Sequence, residues 1–249
     1  MKNTRKSALM GVTVASFAAG AVAGGDVIAY TSFENAFVGD QYVDTGDASV
    51  DHDLVNNAGQ SVVDFTADGV EIGFDSQYFN TRNGVGLTDG DWVGATDFTG
   101  TVGSFTDGVQ GFQLQDADGM MRTTFDTITV PGDRTLFEWN LMMDFYVQET
   151  GWESDDYMRI WLVVDDGVEI DILNTAGMDV DDMGIEGEWH MVTVDLTGYV
   201  SATLHVELDS NSGSESLYLD NIVFKTGIPT PGTLALLGFG GLAATRRRR

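Results

Sequence analysis

Short segments of alternating polarity are the feature that most restricts how this chain folds. In ATLHVEL (202–208), Leu204, Val206 and Leu208 fall on one side of an extended backbone, and His205 and Glu207 fall on the other. This period of two is the pattern of a half-buried β-strand. The other segments of this kind are TTFDTITV (123–130), YMRIWLVV (157–164), WHMVTVDL (189–196) and SLYLDNIVF (216–224).

Turn signals separate these segments. Asp-Gly pairs, which tolerate the positive φ angles of tight hairpins, occur at 68–69, 89–90, 107–108, 118–119 and 166–167, and Pro-Gly occurs at 131–132. No helical periodicity intervenes, so the sequence predicts an all-β, antiparallel two-sheet sandwich. Because YMRIWLVV carries Trp161 and Val163 opposite its apolar face, we expect that strand to be covered on both sides. The Asp-rich stretch 39–57 is expected to loop out.

The charges are distributed very unevenly along the chain. The 249 residues include 39 acidic and 12 basic side chains, and seven of the bases lie in the first six and last four positions. Residues 24–225 therefore carry 39 acids against five bases, a net charge of −34. Such a surface repels phosphate backbones, which excludes a nucleic-acid partner. It suits a salty exterior that screens the repulsion, so a marine habitat is a hypothesis.

Other chemistry is excluded by residue types that are missing or scattered. The chain has no cysteine, which removes disulfides, thiolate metal sites and thiol nucleophiles. His52, His190 and His205 are far apart in sequence, and no G-x-S-x-G motif is present. Four acids cluster in QETGWESDDY (148–157), but the segment is predicted to be a loop. No catalytic residue is assigned.

The N-terminal segment is predicted to be a secretory signal peptide. Residues 1–23 read MKNTRKSALMGVTVASFAAGAVA, with a basic start and an apolar stretch. Ala21 and Ala23 supply the small residues at −3 and −1 that signal peptidase requires. The alternative is a buried N-terminal helix, which the lack of acids and the cleavage site disfavour.

The C-terminal segment combines three features in a fixed order. Pro229-Thr230-Pro231 precedes a 14-residue apolar stretch, and the arginines 246–249 (Arg246, Arg247, Arg248 and Arg249) end the chain. The stretch is shorter than the ~20 residues of a spanning helix. The order resembles the PEP-CTERM sorting signal of Gram-negative bacteria, with Thr230 where that family usually has Glu. The resemblance implies a short sorting helix, transient retention in the inner membrane, cleavage by an exosortase-type enzyme and display at the cell surface. The alternative is a plain tail anchor.

These signals divide the chain into a signal peptide (1–23), a β-sandwich domain (24–226) and a sorting signal (227–249). Within the domain, Phe33-Glu34-Asn35 near the start and Asp220-Asn221 near the end resemble motifs of jelly-roll carbohydrate-binding modules and lectin-like sandwiches. The resemblance implies adjacent first and last strands and a structural calcium held by Glu34 and Asp220. The chemistry is reasonable, since calcium takes carboxylate and carbonyl oxygens. The alternative makes Glu34 a solvated edge residue and Asp220 a turn cap.

Aromatic side chains near polar loops are the candidates for sugar binding. Trp92, Trp152 and Tyr157 lie in or beside such loops, whereas Trp139, Trp161 and Trp189 lie in strand patterns and are assigned to the core. The sequence thus predicts an exported binding or matrix protein with an extracellular polysaccharide as partner. The alternatives are a carbohydrate-active enzyme, either a glycoside hydrolase or a polysaccharide lyase, and a purely structural surface protein.

Overall fold

The computed structural model of the chain describes residues 25–130, 138–149, 151–165 and 167–227. The predicted signal peptide with Ala21 and Ala23, and the predicted sorting signal from Pro229 to Arg249, lie outside these residues. In the part of the chain that is described, no helix is long and apolar enough to cross a bilayer.

Thirteen strands and one short 3-10 turn, Gly86–Thr88, make up the regular structure of the described residues. The strands are β1 (Val27–Thr31), β2 (His52–Asp53), β3 (Phe74–Phe79), β4 (Gly94–Thr96), β5 (Gly111–Gln115), β6 (Gly119–Phe125), β7 (Ile128–Thr129), β8 (Trp139–Val147), β9 (Tyr157–Val164), β10 (Val168–Asn174), β11 (Trp189–Asp195), β12 (Ser201–Ser210) and β13 (Ser216–Thr226).

The strands form two antiparallel sheets. The first has the order β11-β8-β13-β5-β4, with β1 also paired to β13, and the second has the order β10-β9-β12-β6-β3-β2, with β7 also paired to β12. The chain crosses repeatedly from one sheet to the other, as between β5 and β6, β8 and β9, and β12 and β13. This confirms the all-β two-sheet sandwich. The first and last strands pair as the end motifs implied, with Ala29 opposite Phe224.

The core lies between the two sheets and follows the alternation read from the sequence. On β9 and β12 the residues Met158, Ile160, Leu162, Leu204 and Val206 are fully buried. Trp139 is also fully buried, which confirms its core assignment. Each strand therefore gives its apolar side to a single interior and its other side to an outer face.

Two expectations about the sandwich are corrected. The stretch 39–57 does not loop out, because Tyr42 and Leu54 are buried in the core and His52 lies on β2. Trp161 is buried, but not by a second layer. Its ring lies on the outer side of β9 beneath His205 and Arg159, at a ring distance of 4.9 Å from the imidazole.

Candidate functional site

The outer face of the first sheet is covered by a loop of the chain itself. We call residues 97–110 the covering loop and the surface beneath it the closed face. Val102 and Phe105 of the loop pack on Tyr146 and Tyr218 of the sheet, and all four are at most 7% exposed. The Tyr146 hydroxyl donates to the Thr101 carbonyl at 3.2 Å, so apolar and polar contacts both hold the loop down.

Both carboxylates predicted to bind calcium hold this loop. The Asp220 Oδ2 accepts hydrogen bonds from the Thr106 amide at 2.7 Å, the Thr106 hydroxyl at 2.9 Å and the Asp107 amide at 2.8 Å. The Glu34 Oε1 accepts from the amides of Val109 and of the next residue, 110, both at 2.7 Å. The structure thus brings the two predicted residues to the same loop, as anchors of its backbone.

The charge on Asp220 is met here by hydrogen-bond donors. Its Oδ1 accepts from the Asn221 amide at 2.7 Å, so both carboxylate oxygens are engaged by hydrogen-bond donors of the protein. Burial raises the pKa of Asp220 to about 6, against the lowering effect of these hydrogen bonds. The donor set fits an anchored loop without an ion, and calcium at Glu34 and Asp220 stays a prediction.

A glycine is required where the covering loop meets Glu34. Gly108 has a φ of +68°, in the left-handed region that favours glycine. A Cβ at this position would also collide with the Glu34 carboxylate. The Asp-Gly signal at 107–108 therefore marks a turn that is held from one side by Asp220 and from the other by Glu34.

The outer face of the second sheet, the open face, carries polar and aromatic side chains across four strands. The hydrophobic clusters of the described residues are the core and the covering-loop cluster, and neither lies on this face. Strand register places Arg159 of β9 opposite Glu207 of β12, Glu207 opposite Arg122 of β6, and Arg122 opposite Gln77 of β3. The row is about 14 Å long, because neighbouring strands lie about 4.8 Å apart.

Ion pairs and ring contacts hold the groups of the open face in place. The Arg122 Nε donates to the Glu207 Oε1 at 2.6 Å, and the guanidinium lies 4.6 Å from the centre of the Phe79 ring. The Arg159 guanidinium lies 4.5 Å from the Trp161 ring centre and donates to Asp171 at 2.6 Å. Such stacked, paired arginines are fixed in orientation and can present their remaining N–H groups to a ligand.

His205 and Tyr157 complete the open face. The His205 ring stacks on Trp161 at an interplanar angle of 16°, and its Nδ1 lies 3.1 Å from the Thr124 hydroxyl. Burial, with the positive charge of Arg122, lowers the pKa of His205, so the ring is neutral near pH 7. Burial and the charge of Glu207 raise the pKa of Tyr157 to about 12, so its hydroxyl keeps its proton.

The three aromatic residues predicted to bind sugar are not brought together. Trp152 is 4% exposed and donates from its Nε1 to the Gln148 carbonyl at 3.1 Å, so its ring has no free face for stacking. Trp92 is 44% exposed and lies in the segment just before β4, which is a strand of the first sheet. Of the three, Tyr157 alone lies on the open face. Sugar binding by this set stays a prediction that the geometry does not favour.

The sequence interpretation missed the group formed by Arg122, Arg159, Trp161 and His205. The alternation in 157–164 and 202–208 puts the last three at outward positions, and that signal was available. The order of the strands was not available, and only that order places β9, β12 and β6 side by side. Trp189 was also assigned to the core, but it lies on the closed face and donates to the Ser104 carbonyl at 2.9 Å.

Comparison with known proteins gives a distant likeness to solved sandwich domains. A tandem carbohydrate-binding module of Paenibacillus barcinonensis Xyn10C (CBM22-1-CBM22-2) is 11% identical with a TM-score of 0.33; the match covers 86% of this chain and 48% of that one. The family 11 carbohydrate-binding module of Clostridium thermocellum Lic26A-Cel5E is 12% identical with a TM-score of 0.31, and the match covers 71% of this chain and 99% of that one. A cyclase from Fischerella sp. is 12% identical with a TM-score of 0.32, and the match covers 73% of this chain and 89% of that one. No family model and no curated protein matches the chain.

Proposed function

We propose that this chain is an exported β-sandwich protein that binds a polysaccharide on its open face. The observation that carries the proposal is the row of side chains from Arg159 to Gln77, fixed in place on a sheet face that no described hydrophobic cluster covers. Sugar rings present hydroxyls and C–H faces together. Guanidinium, amide and phenol groups beside aromatic rings offer matching hydrogen bonds and apolar contacts.

The shape of the row favours an extended ligand over a single sugar. The side chains follow one line across four strands, whereas a compact ligand would be held by groups that converge from loops. Arg122 and Arg159 are already paired with carboxylates of the same sheet, so their role is directional hydrogen bonding.

Catalysis on the open face is not proposed. Glu207 and Asp209 lie on the same side of β12, which is the kind of carboxylate pair that a glycosidase uses. Each of them is engaged by an arginine, Glu207 by Arg122 and Asp209 by Arg82. Neither is therefore directed at a bound substrate as a free acid or nucleophile.

Export and surface display form the second half of the proposal and rest on sequence features alone. Signal peptidase would cleave after Ala23, and an exosortase-type enzyme would process the segment from Pro229 to Arg249 after transient retention in the inner membrane. Mass spectrometry of the protein recovered from the outside of a Gram-negative host with such a system tests this. A mature N-terminus at residue 24 and loss of the terminal arginines are expected. Recovery of the unprocessed chain would contradict it.

A glycan array followed by calorimetry tests binding. We expect the wild-type chain to bind at least one polysaccharide, and Arg122→Ala to weaken binding at least tenfold, because it removes a donor from the centre of the row. Trp92→Ala is the control, since Trp92 lies next to β4 of the other sheet and away from the row, and it should bind like wild type. Circular dichroism checks that each variant is folded. The proposal fails if wild type binds no glycan, or if Trp92→Ala alone abolishes binding.

A further inference from the structure

Three carboxylates meet at one end of the sandwich, away from the open face and the covering loop. They belong to Glu153 and Asp156 in the loop between β8 and β9, and to Glu215 in the loop between β12 and β13. One oxygen from each lies within 4.8 Å of the other two. Asp156 is 4% exposed and Glu215 is 2% exposed, while Glu153 reaches solvent. We call these three residues the carboxylate cluster.

The positive charge near the cluster is too small to balance it. Arg82 donates from Nη2 to the Asp156 Oδ1 at 2.8 Å. The same guanidinium also bonds Asp155 at 3.1 Å and forms an ion pair with Asp209. One charge is therefore shared by three carboxylates, and among the described residues no arginine or lysine pairs with Glu153 or Glu215. Ionised groups that are buried need a counter-charge.

A buried hydroxyl without a partner lies beside the cluster. Ser210 is fully buried, and among the described residues its Oγ has no hydrogen-bond partner. Asn211, the next residue, donates its amide to the Glu215 Oε2 at 3.2 Å, which places this end of β12 at the cluster. Alternation turns Ser210 inward, as it does for the buried Leu208, and Asp156 in the turn before β9 is also buried. The unsatisfied hydroxyl is therefore buried at the same end of the sandwich as the three carboxylates.

We propose that the carboxylate cluster binds one calcium ion, with Glu153, Asp156 and Glu215 as ligands and Ser210 supplying a neutral oxygen beside them. The donors are all oxygen, which suits a hard cation and not a softer transition metal. The three carboxylate oxygens lie within 4.8 Å of one another, so small side-chain shifts would bring all of them to the Ca–O distance of about 2.4 Å from a single ion. Its positive charge would offset part of the negative charge that Arg82 leaves uncompensated.

Such an ion joins parts of the chain that are distant in sequence. It would tie the loop between β8 and β9 to the loop between β12 and β13, and through Arg82 to the segment that follows β3. This site is separate from Glu34 and Asp220, which hold the covering loop through hydrogen bonds. It also does not depend on glycan binding, because none of its ligands lies in the row on the open face.

Protons are the competing occupant of the cluster. Burial, followed by a hydrogen bond with Glu153, raises the pKa of Glu215 to about 8, and burial raises the pKa of Asp156 to about 6. Because these folded-state values exceed those of the unfolded chain, the protons stabilise the fold at low pH. That stabilisation is lost as pH rises through about 6 to 8. Calcium would replace it at the upper end of this range, whereas a cluster that binds only protons would not respond to calcium.

The test is calcium titration of the chelator-treated full chain at pH 8, by calorimetry and by thermal unfolding. We expect one bound calcium per chain and a higher Tm, with little effect of magnesium at the same concentration. Glu153→Gln removes one ligand at an exposed position, so it should fold and bind calcium at least tenfold more weakly. Glu34→Gln is the matched control and should bind like wild type. Terbium luminescence gives a second readout, since Trp152 adjoins Glu153 and can sensitise a bound lanthanide.

The possible results distinguish a calcium ion at the carboxylate cluster from protons at the cluster and from calcium at Glu34 and Asp220. The proposal is overturned if calcium gives wild type no heat of binding and no shift in Tm, and if Tm only falls as pH rises. The three carboxylates would then share protons and bind no ion. A calcium response that survives Glu153→Gln but is lost in Glu34→Gln also overturns it and moves the ion to the site that the sequence motifs implied. Weakening by Glu153→Gln with an intact response in Glu34→Gln supports it.

Discussion

The two outer faces of this sandwich come from the same alternating pattern, but one is covered by a loop and the other is not. On the closed face, Tyr146 and Tyr218 lie under Val102 and Phe105 of the covering loop and are almost completely buried. On the open face, Arg122, Arg159 and His205 contact aromatic rings and polar side chains of the same sheet, and no loop cluster covers them. An outward position on a strand therefore has no fixed environment until the loops are placed. The closed face adds stability, and the open face is available for a ligand.

The largest expected effect comes from removing the apolar contact of the covering loop. Phe105→Ala should lower the free energy of unfolding by about 3 kcal/mol, as for other buried Phe-to-Ala changes. Phe98, in the same loop, is 52% exposed, and Phe98→Ala should change stability by less than about 0.5 kcal/mol. Urea unfolding of the three proteins measures both values. Equal values for the two variants would show that the loop is not sealed onto the sheet.

A smaller loss is expected when the polar anchor of the same loop is removed. Asp220→Ala leaves the amides of Thr106 and Asp107 without their acceptor and should cost about 2 kcal/mol. Glu34 is exposed, so Glu34→Ala should cost about 1 kcal/mol or less. Thermal unfolding with and without chelator completes the comparison. If chelation of wild type reproduced the Asp220→Ala loss, a bound ion at Asp220 would replace the hydrogen-bond account.

The smallest expected effect is a difference between the pKa values of two histidines. It tests whether the His205 ring on the open face is shielded from water by its neighbours. Burial and Arg122 lower the pKa of His205. For His52 on β2, burial alone would lower the pKa, but hydrogen bonds to Val50 and Asp44 raise it overall. NMR titration should therefore show His205 below about 6.5 and His52 above it. His205 contributes stability above pH 6.5 that is lost as pH falls through its folded value. The reverse order of the two pKa values would mean that the open face is more hydrated than its contacts indicate.

The site could be predicted only in part, for reasons that particular residues make clear. Glu34 and Asp220 were singled out by their positions near the ends of the domain, and the pairing of β1 with β13 does bring them to one loop. The donors that meet them come from residues 106–110, which no local pattern connects to either. Trp152 looked like a loop aromatic, but a loop that folds back over the core buries its own tryptophan. Trp161 looked like core, but the polar side chains that cover it come from its own strand and from β12.

The sequence alone determined the class of structure, because alternation and turn residues act within a few positions of the chain. Period two in segments such as 157–164 and 202–208 was enough to predict strands, an interior and an all-β sandwich. Tertiary structure alone decided which strands are neighbours, which outer face is covered and which acids converge. Those features depend on contacts between residues up to about 200 positions apart, such as β1 with β13, and no local pattern records them. The carboxylate cluster is the clearest case, since Glu153 and Glu215 meet only because two sheets bring their loops to the same end.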